Sequence, residues 1–201
     1  MNKMPASISW DRAKEILNNG GVVSFPTDTV YGLAANAFSK KAVQKVYDLK
    51  DRDGRKPLVL MCADISSAQA LTQPWGKDVQ VAAEKHWPGA LTLILLRDPK
   101  KVSDDITAGG ETVGVRIPNN KDLLTLLSSL PFPLAVTSAN RSGKKECTKG
   151  SDVKKIFGET IDGIVEDDTI LQGGVPSTVA DVTVEPWKVL RRGPVELVLS
   201  D

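Results

Sequence analysis

Short apolar runs alternate along this chain with stretches whose apolar residues recur at helical spacing, and this alternation most restricts the folds open to it. Val22 to Phe25, Pro57 to Met61, Leu91 to Leu96, Thr112 to Ile117 and Leu134 to Thr137 each read as a strand. Helices are predicted between them. Ser9 to Asn19 carries Ala13, Ile16 and Leu17 on one face and is stopped by Gly20-Gly21. Ser39 to Leu49 has Ala42, Val43, Val46 and Leu49 as its apolar stripe, with Ser39 placed to cap it. Further helical pieces are Ser66 to Leu71, Lys77 to Lys85, Asp122 to Ser129 and Ser151 to Phe157. Strands alternating with helices predict an α/β domain. Three late strands, Ile161 to Val165, Thr178 to Val184 and Lys188 to Arg191, lie close together, so part of the sheet is expected to be antiparallel. Pro99 to Gly110 holds Asp104, Asp105, Gly109 and Gly110 without an apolar pattern and is predicted to be a mobile loop.

At 201 residues a single domain with a substantial core is expected. A composition of 41% hydrophobic and 25% charged residues is that of an ordinary soluble protein. The formal net charge of +1 excludes a global nucleic-acid footprint, so any anion site must come from local clustering. Cys62 and Cys147 are far apart and form no metal spacing. His86 is the one histidine; beside Trp87 and Pro88 it reads as packed or surface rather than as a general base. Trp10, Trp75, Trp87 and Trp187 read as core or lid packing. There is no leader segment and no apolar run long enough to span a bilayer, which leads to the expectation of a cytoplasmic, reduced protein. A Walker-type phosphate loop, a dinucleotide Gly fingerprint and a Gly-x-Ser-x-Gly elbow are all missing, which removes three common enzyme classes.

Three distant segments carry one kind of chemistry. Alternate residues of an extended chain share a side. That places Lys50, Arg52 and Lys56 together, Thr112 with Arg116 opposite Val113, Val115 and Ile117, and Ser138 with Asn140 and Ser142. Cations and neutral hydrogen-bonding groups facing one way predict an anion pocket, for a nucleotide phosphate and a carboxylate. Ser24 to Leu33 adds a strand that runs into Pro26 and then Thr27-Asp28-Thr29, either ligand contacts at a strand end or a turn whose threonines satisfy their own backbone. Arg116 is either a clamp on a ligand anion or one half of a structural ion pair. Gly173-Gly174-Val175-Pro176-Ser177-Thr178 predicts a tight turn that delivers two hydroxyls to a strand start, and Arg191-Arg192-Gly193 adds a late basic pair.

Taken in order, these segments resemble the YrdC-like proteins of the threonylcarbamoyl-AMP synthase family. The likeness runs from about Ile8 to Val195, so the whole chain, 1–201, is expected to be one YrdC-like domain. It is carried by Pro26-Thr27-Asp28-Thr29-Val30-Tyr31-Gly32-Leu33, Lys50-x-Arg52 with Lys56-Pro57-Leu58, Trp87-Pro88-Gly89-Ala90-Leu91-Thr92 and Val115-Arg116-Ile117-Pro118. Ser138-Ala139-Asn140-x-Ser142-Gly143, Pro176-Ser177-Thr178-Val179-Ala180-Asp181 and Leu190-Arg191-Arg192-Gly193 complete it. Each motif is weak alone; their joint order and spacing are specific.

The resemblance implies a twisted mixed α/β sheet flanked by helices around one large, positively lined cleft. It implies a nucleotidyltransferase that makes threonylcarbamoyl-AMP and pyrophosphate from L-threonine, bicarbonate (or CO2) and ATP. The product would feed tRNA t6A formation through downstream transferase proteins. By motif, Thr29, Arg116, Ser138 and Ser177 would hold threonine, with Arg116 on its carboxylate. Arg52, Lys56, Thr112, Asn140, Thr148 and Arg191 would hold ATP. Lys50 and Arg52 would be the catalytic cations, with Lys50 supporting the phosphates. Mg2+ is expected with the triphosphate, and no protein residue is identified as its ligand. The chain ends soon after Arg192, so the extra C-terminal domain of longer members is expected to be absent.

Two positions depart from the family pattern. Met61 stands where many members have a histidine, and Ala90 where proline is frequent. Leu60-Met61-Cys62 is similar to the YciO-like branch, which gives an alternative: a nucleotide-binding protein without synthase activity. A third reading is an RNA-binding module whose cleft takes the backbone of tRNA or double-stranded RNA. The near-zero net charge and scarce stacking aromatics weigh against it.

Overall fold

The computed structural model describes residues 7–50, 56–167 and 174–197. Nine strands form one mixed sheet in the order β7-β1-β2-β6-β3-β5-β4-β8-β9. They are β1 (Val23–Pro26), β2 (Tyr31–Asn36), β3 (Val59–Met61), β4 (Leu91–Leu96), β5 (Thr112–Arg116), β6 (Leu134–Ser138), β7 (Gly163–Ile164), β8 (Thr178–Asp181) and β9 (Lys188–Arg191). The pairs β1/β7, β3/β5 and β4/β8 are parallel, and the other neighbours are antiparallel. Helices α1 (Trp10–Asn18) and α6 (Lys121–Ser129) pack on one face of the sheet. Helices α2 (Lys40–Leu49), α3 (Ile65–Gln69), α4 (Lys77–His86), α5 (Asp104–Thr107) and α7 (Gly150–Phe157) add buried residues to the core on the other face.

The capped helices follow their sequence signals closely. Ser9 accepts from the Arg12 N–H to start α1, and Ser39 accepts from the Ala42 N–H to start α2. The stripe of α2 is buried at Ala42, Val43 and Val46, while Leu49 is only half-buried. The tryptophans pack: Trp75 meets Trp87 edge-on at 6.1 Å, and Trp10 lies 5.9 Å from Phe25.

One strand was not predicted and two expectations are corrected. Tyr31–Asn36, unassigned in the sequence after the turn at Pro26, forms β2 between β1 and β6. Gly32, Ala34, Ala35 and Asn36 have little strand preference, and pairing on both sides overrides it. The segment from Pro99 to Gly110 is seated rather than free. Val102 and Ile106 are buried in the core, and Arg97 Nη1 donates to the Val102 carbonyl at 2.8 Å while Nη2 pairs with Asp104 at 2.6 Å. Two apolar residues are too few to show a period, so the anchoring was not readable. Finally, β8 stops at Asp181 rather than Val184, because the Asp181 carboxylate turns the chain by accepting from the Thr183 N–H and hydroxyl.

The two faces of the sheet are covered unequally. Register places Gly32, Val59, Met61, Val136, Ser138, Gly114 and Arg116 on the face that carries α1 and α6. Buried apolar residues of those helices reach Met61 and Val136 and stop there. Past that line the sheet face opens into a cavity.

Candidate functional site

The cavity has a volume of about 170 Å³ and is lined by residues from six strands and the turns between them. That is ample for a small polar metabolite, given the roughly 10–15 Å³ that one water requires. Thr29, Arg116, Ser138 and Ser177, separated by up to 148 residues in sequence, all line it, together with Arg191, Thr92 and Met61. Among the described residues that line it, the charged ones are Arg116 and Arg191.

Each wall has a local cause. At the end of β1, Thr27 is buried and folds the turn onto itself. Its hydroxyl donates to the Val30 carbonyl at 2.7 Å and accepts from the Thr29 N–H at 3.0 Å. The turn that self-satisfying threonines predict is therefore present, and it also presents Thr29 to the cavity. Asn120 ties this corner to α6 by donating to the Pro26 carbonyl at 3.2 Å. Arg116 ends β5 with its guanidinium held in three directions. Nε donates to the Gly89 carbonyl at 3.0 Å, Nη1 to Thr29 Oγ1 at 2.9 Å and Nη2 to Asp28 Oδ1 at 2.6 Å. The structural ion-pair reading of this arginine holds, with Asp28 as its partner. One N–H on each terminal nitrogen lies outside these three bonds.

Burial lowers the Arg116 pKa, and the Asp28 charge and hydrogen bond oppose that shift. Arg191 is also lowered, first by burial; Glu146 pulls it up and the neighbouring charge of Arg116 pushes it down. Two guanidinium groups that repel across one hollow favour a bound anion.

Ser177 opens β8. Its hydroxyl is 2.8 Å from Thr92 Oγ1 and accepts from Arg191 Nη2 at 3.1 Å, and its carbonyl accepts from Arg191 Nε at 3.0 Å. Two glycines make this corner possible. Gly174 has φ +65°, and a Cβ there would stand 2.6 Å from Thr148 Cγ2. A Cβ on Gly193 would stand 2.4 Å from the Pro176 carbonyl oxygen.

The remaining predicted residues spread around this centre. Asn140 is buried directly behind Ser138, and its Oδ1 accepts from Ser138 Oγ at 2.7 Å and from Lys50 Nζ at 2.8 Å. Thr148 packs against Gly174 beside the Ser177 corner. Lys56 is exposed next to Pro57, which lines the cavity. Thr112 shares the sheet face of Arg116 but starts β5, about 13 Å away at ~3.3 Å per residue. Arg52 lies outside the described residues. Lys50 departs from the expected extended face: it is the C-cap of α2 in helical backbone, φ −93° and ψ −4°. Only 1% exposed, it donates to the Ser138 carbonyl as well as to Asn140.

Sequence reasoning did not single out Asp28 or Thr92. Thr92 had a usable signal, since it is the one hydroxyl in the apolar run Leu91 to Leu96. Asp28 had none, because its partner is 88 residues away. His86 ends α4 away from the cavity, with its pKa lowered by burial and by Lys85. Burial pushes the Cys62 thiol up to about 12 and Cys147 to about 11, so neither is a thiolate at neutral pH.

The Sua5/YciO/YrdC family model, described as telomere recombination, matches residues 15–193. A curated threonylcarbamoyl-AMP synthase of Bacillus subtilis is 41% identical over 92% of this chain and 53% of its own length. One from Pyrococcus abyssi is 36% identical over 92% and 54%. The chain therefore spans about half the length of these two relatives. A third, from Idiomarina loihiensis, is 34% identical, and the match covers 80% of this chain and 87% of that protein. The crystal structure of P. abyssi Sua5 complexed with L-threonine superposes with a TM-score of 0.88 at 35% identity, covering 92% of this chain and 54% of that one. E. coli YciO shares the fold, with a TM-score of 0.82 at 24% identity over 96% and 94% of the two chains.

Proposed function

Because this chain belongs to the Sua5/YciO/YrdC family, we propose that it is an L-threonylcarbamoyladenylate synthase, converting L-threonine, bicarbonate or CO2 and ATP into threonylcarbamoyl-AMP and pyrophosphate. The observation that carries the reading is the convergence of Thr29, Arg116, Ser138 and Ser177 on one cavity with Arg191. Threonine would enter with its carboxylate toward Arg116 and the Thr29 hydroxyl. ATP would lie along the open sheet face toward Lys56, Thr112, Asn140, Thr148 and Arg191, with Lys50 and Arg52 as the further cations of the site.

The chemistry asks for positioning and fixed charge. The amine of threonine adds to CO2 and loses a proton, giving a carbamate. A carbamate oxygen then bonds to the α-phosphorus as the bond to pyrophosphate breaks. Guanidinium and ammonium groups aimed at the developing charge would supply most of the acceleration, and no covalent nucleophile is needed. Mg2+ would arrive as part of the nucleotide substrate, since it is usually bound through phosphates and retained waters rather than an all-protein cage. The product would serve tRNA t6A formation in the cytoplasm through downstream transferases, and a direct tRNA or double-stranded RNA contact belongs to the same proposal. Among the described residues no helix is long and apolar enough to cross a membrane.

The test is incubation with ATP, bicarbonate and each amino acid in turn, following pyrophosphate and the adenylate product. Release that depends on L-threonine is expected. ATP binding without amino-acid-dependent release would put the YciO-like nucleotide-binding reading in its place.

A further inference from the structure

A hydroxyl has one proton and two lone pairs, and the neighbours of each hydroxyl in the cavity decide which it can offer a ligand. Guanidinium groups only donate. Arg116 Nη1 donates to Thr29 Oγ1 at 2.9 Å and Arg191 Nη2 to Ser177 Oγ at 3.1 Å, so each hydroxyl uses a lone pair inside the protein. The Thr29 proton goes to Thr27 Oγ1 at 3.0 Å, because the Thr27 proton is given to the Val30 carbonyl, and Ser177 shares a hydrogen bond with Thr92 Oγ1 at 2.8 Å. Ser138 instead faces an acceptor. Its hydroxyl donates to Asn140 Oδ1 at 2.7 Å, an atom that can only accept, so lone pairs are what Ser138 turns to the cavity.

Lys50 is what keeps Asn140 in this state. Its ammonium donates to Asn140 Oδ1 at 2.8 Å and also to the Ser138 carbonyl. A flipped amide would set N–H against N–H at the ammonium, and Asn140 Nδ2 already donates to the Lys144 carbonyl. The Asn140 N–H closes the turn onto the Ser138 carbonyl at 3.0 Å.

We propose that Lys50 is a positioning residue for amino-acid recognition: through Asn140 it holds the Ser138 proton away from the cavity, so that Ser138 Oγ accepts a hydrogen bond from the ammonium or hydroxyl of the bound amino acid. The inference rests on the threonine reading above and deepens it. The cavity acquires a donor side at the guanidinium groups of Arg116 and Arg191 for a carboxylate, and an acceptor side at Ser138 for the donors of the same molecule. It also gives Lys50 a role in binding the amino acid, distinct from support of the nucleotide phosphates.

Calorimetry with L-threonine alone and with ATP alone separates the two roles, using wild type, Lys50→Met, Ser138→Ala and the double variant. Loss of one hydrogen bond should weaken L-threonine, titrated without ATP, about tenfold in each single variant and no further in the double. Losses that multiply in the double variant, or a fall in ATP affinity with threonine binding kept, would overturn the proposal. Thermal melts check folding. If Lys50→Met does not melt cooperatively, Asn140→Asp and Asn140→Leu carry the test. Aspartate keeps the acceptor and should keep threonine binding, leucine should lose it, and equal loss in both counts against the proposal. A wild-type protein that binds ATP but no L-threonine sinks the threonine reading itself, and this inference with it.

Discussion

At Arg116 the chain buries a fixed positive charge against the sheet, 4% exposed, and answers it with Asp28 at 2.6 Å. Such a pair is costly to assemble and more costly to break, because removing one partner strands the other charge in a poor solvent. Arg116→Met should therefore destabilise the protein by about 3–5 kcal/mol, measured by urea denaturation. Adding Asp28→Asn to that variant should recover part of the loss, because no bare carboxylate then remains. Additive losses would show that Asp28 is solvated enough to stand alone. The same pair shows how far single residues were legible. Thr29, Ser138 and Ser177 announce themselves as hydroxyls at strand ends. Asp28, with nothing nearby to pair with, becomes meaningful only when the fold carries it across 88 residues to Arg116. Lys50 was assigned its side by an extended-chain rule, and the helical backbone at the end of α2 sends it elsewhere.

Elements with local caps and periodic stripes were readable to within a residue or two, as Ser9 with α1 and Ser39 with α2 illustrate. Elements held by neighbours were not. Strand β2 has just one residue of a strand-favouring type, Tyr31, and α5 is one turn whose apolar anchors in the core are Val102 and Ile106. The tether includes Arg97, whose buried guanidinium fastens the chain between β4 and β5 through the Val102 carbonyl and Asp104. Arg97→Met should cost about 1.5–3 kcal/mol, the range for a hydrogen bond to a charged group. Amide exchange across residues 98–111 should speed up as well. Because Arg97 lies outside the cavity, L-threonine affinity should not change. A loss of that affinity would return the segment to the role of a loop closing over the site.

On the scale of the whole molecule, strand order was the part the sequence withheld. Local pattern says that a strand exists, and only pairings between distant segments say that β6 separates β2 from β3 or that β8 lies beside β4. The cavity is a product of that order. Its walls come from β2, β6, β3, β5, β4 and β9 with the turns before β2 and β8, which are neighbours along the sheet from β2 to β9. No smaller part of the fold contains the cavity, so a ligand seated there would be released whenever any of these strands separates. Ligand binding should then stabilise the whole chain as one unit. At a free L-threonine concentration of 100 times Kd the unfolding free energy should rise by about 2.7 kcal/mol. The urea midpoint should move up with the m-value unchanged, because the surface exposed on unfolding is the same. Denaturation followed by tryptophan fluorescence and by far-ultraviolet circular dichroism should shift together, since Trp10 packs at the α1 side of the sheet and Trp75 and Trp87 in the opposite core. A ligand that moved one probe and not the other would mean that the site belongs to a part of the sheet that folds independently, and the convergence of distant segments would no longer be what holds the amino acid.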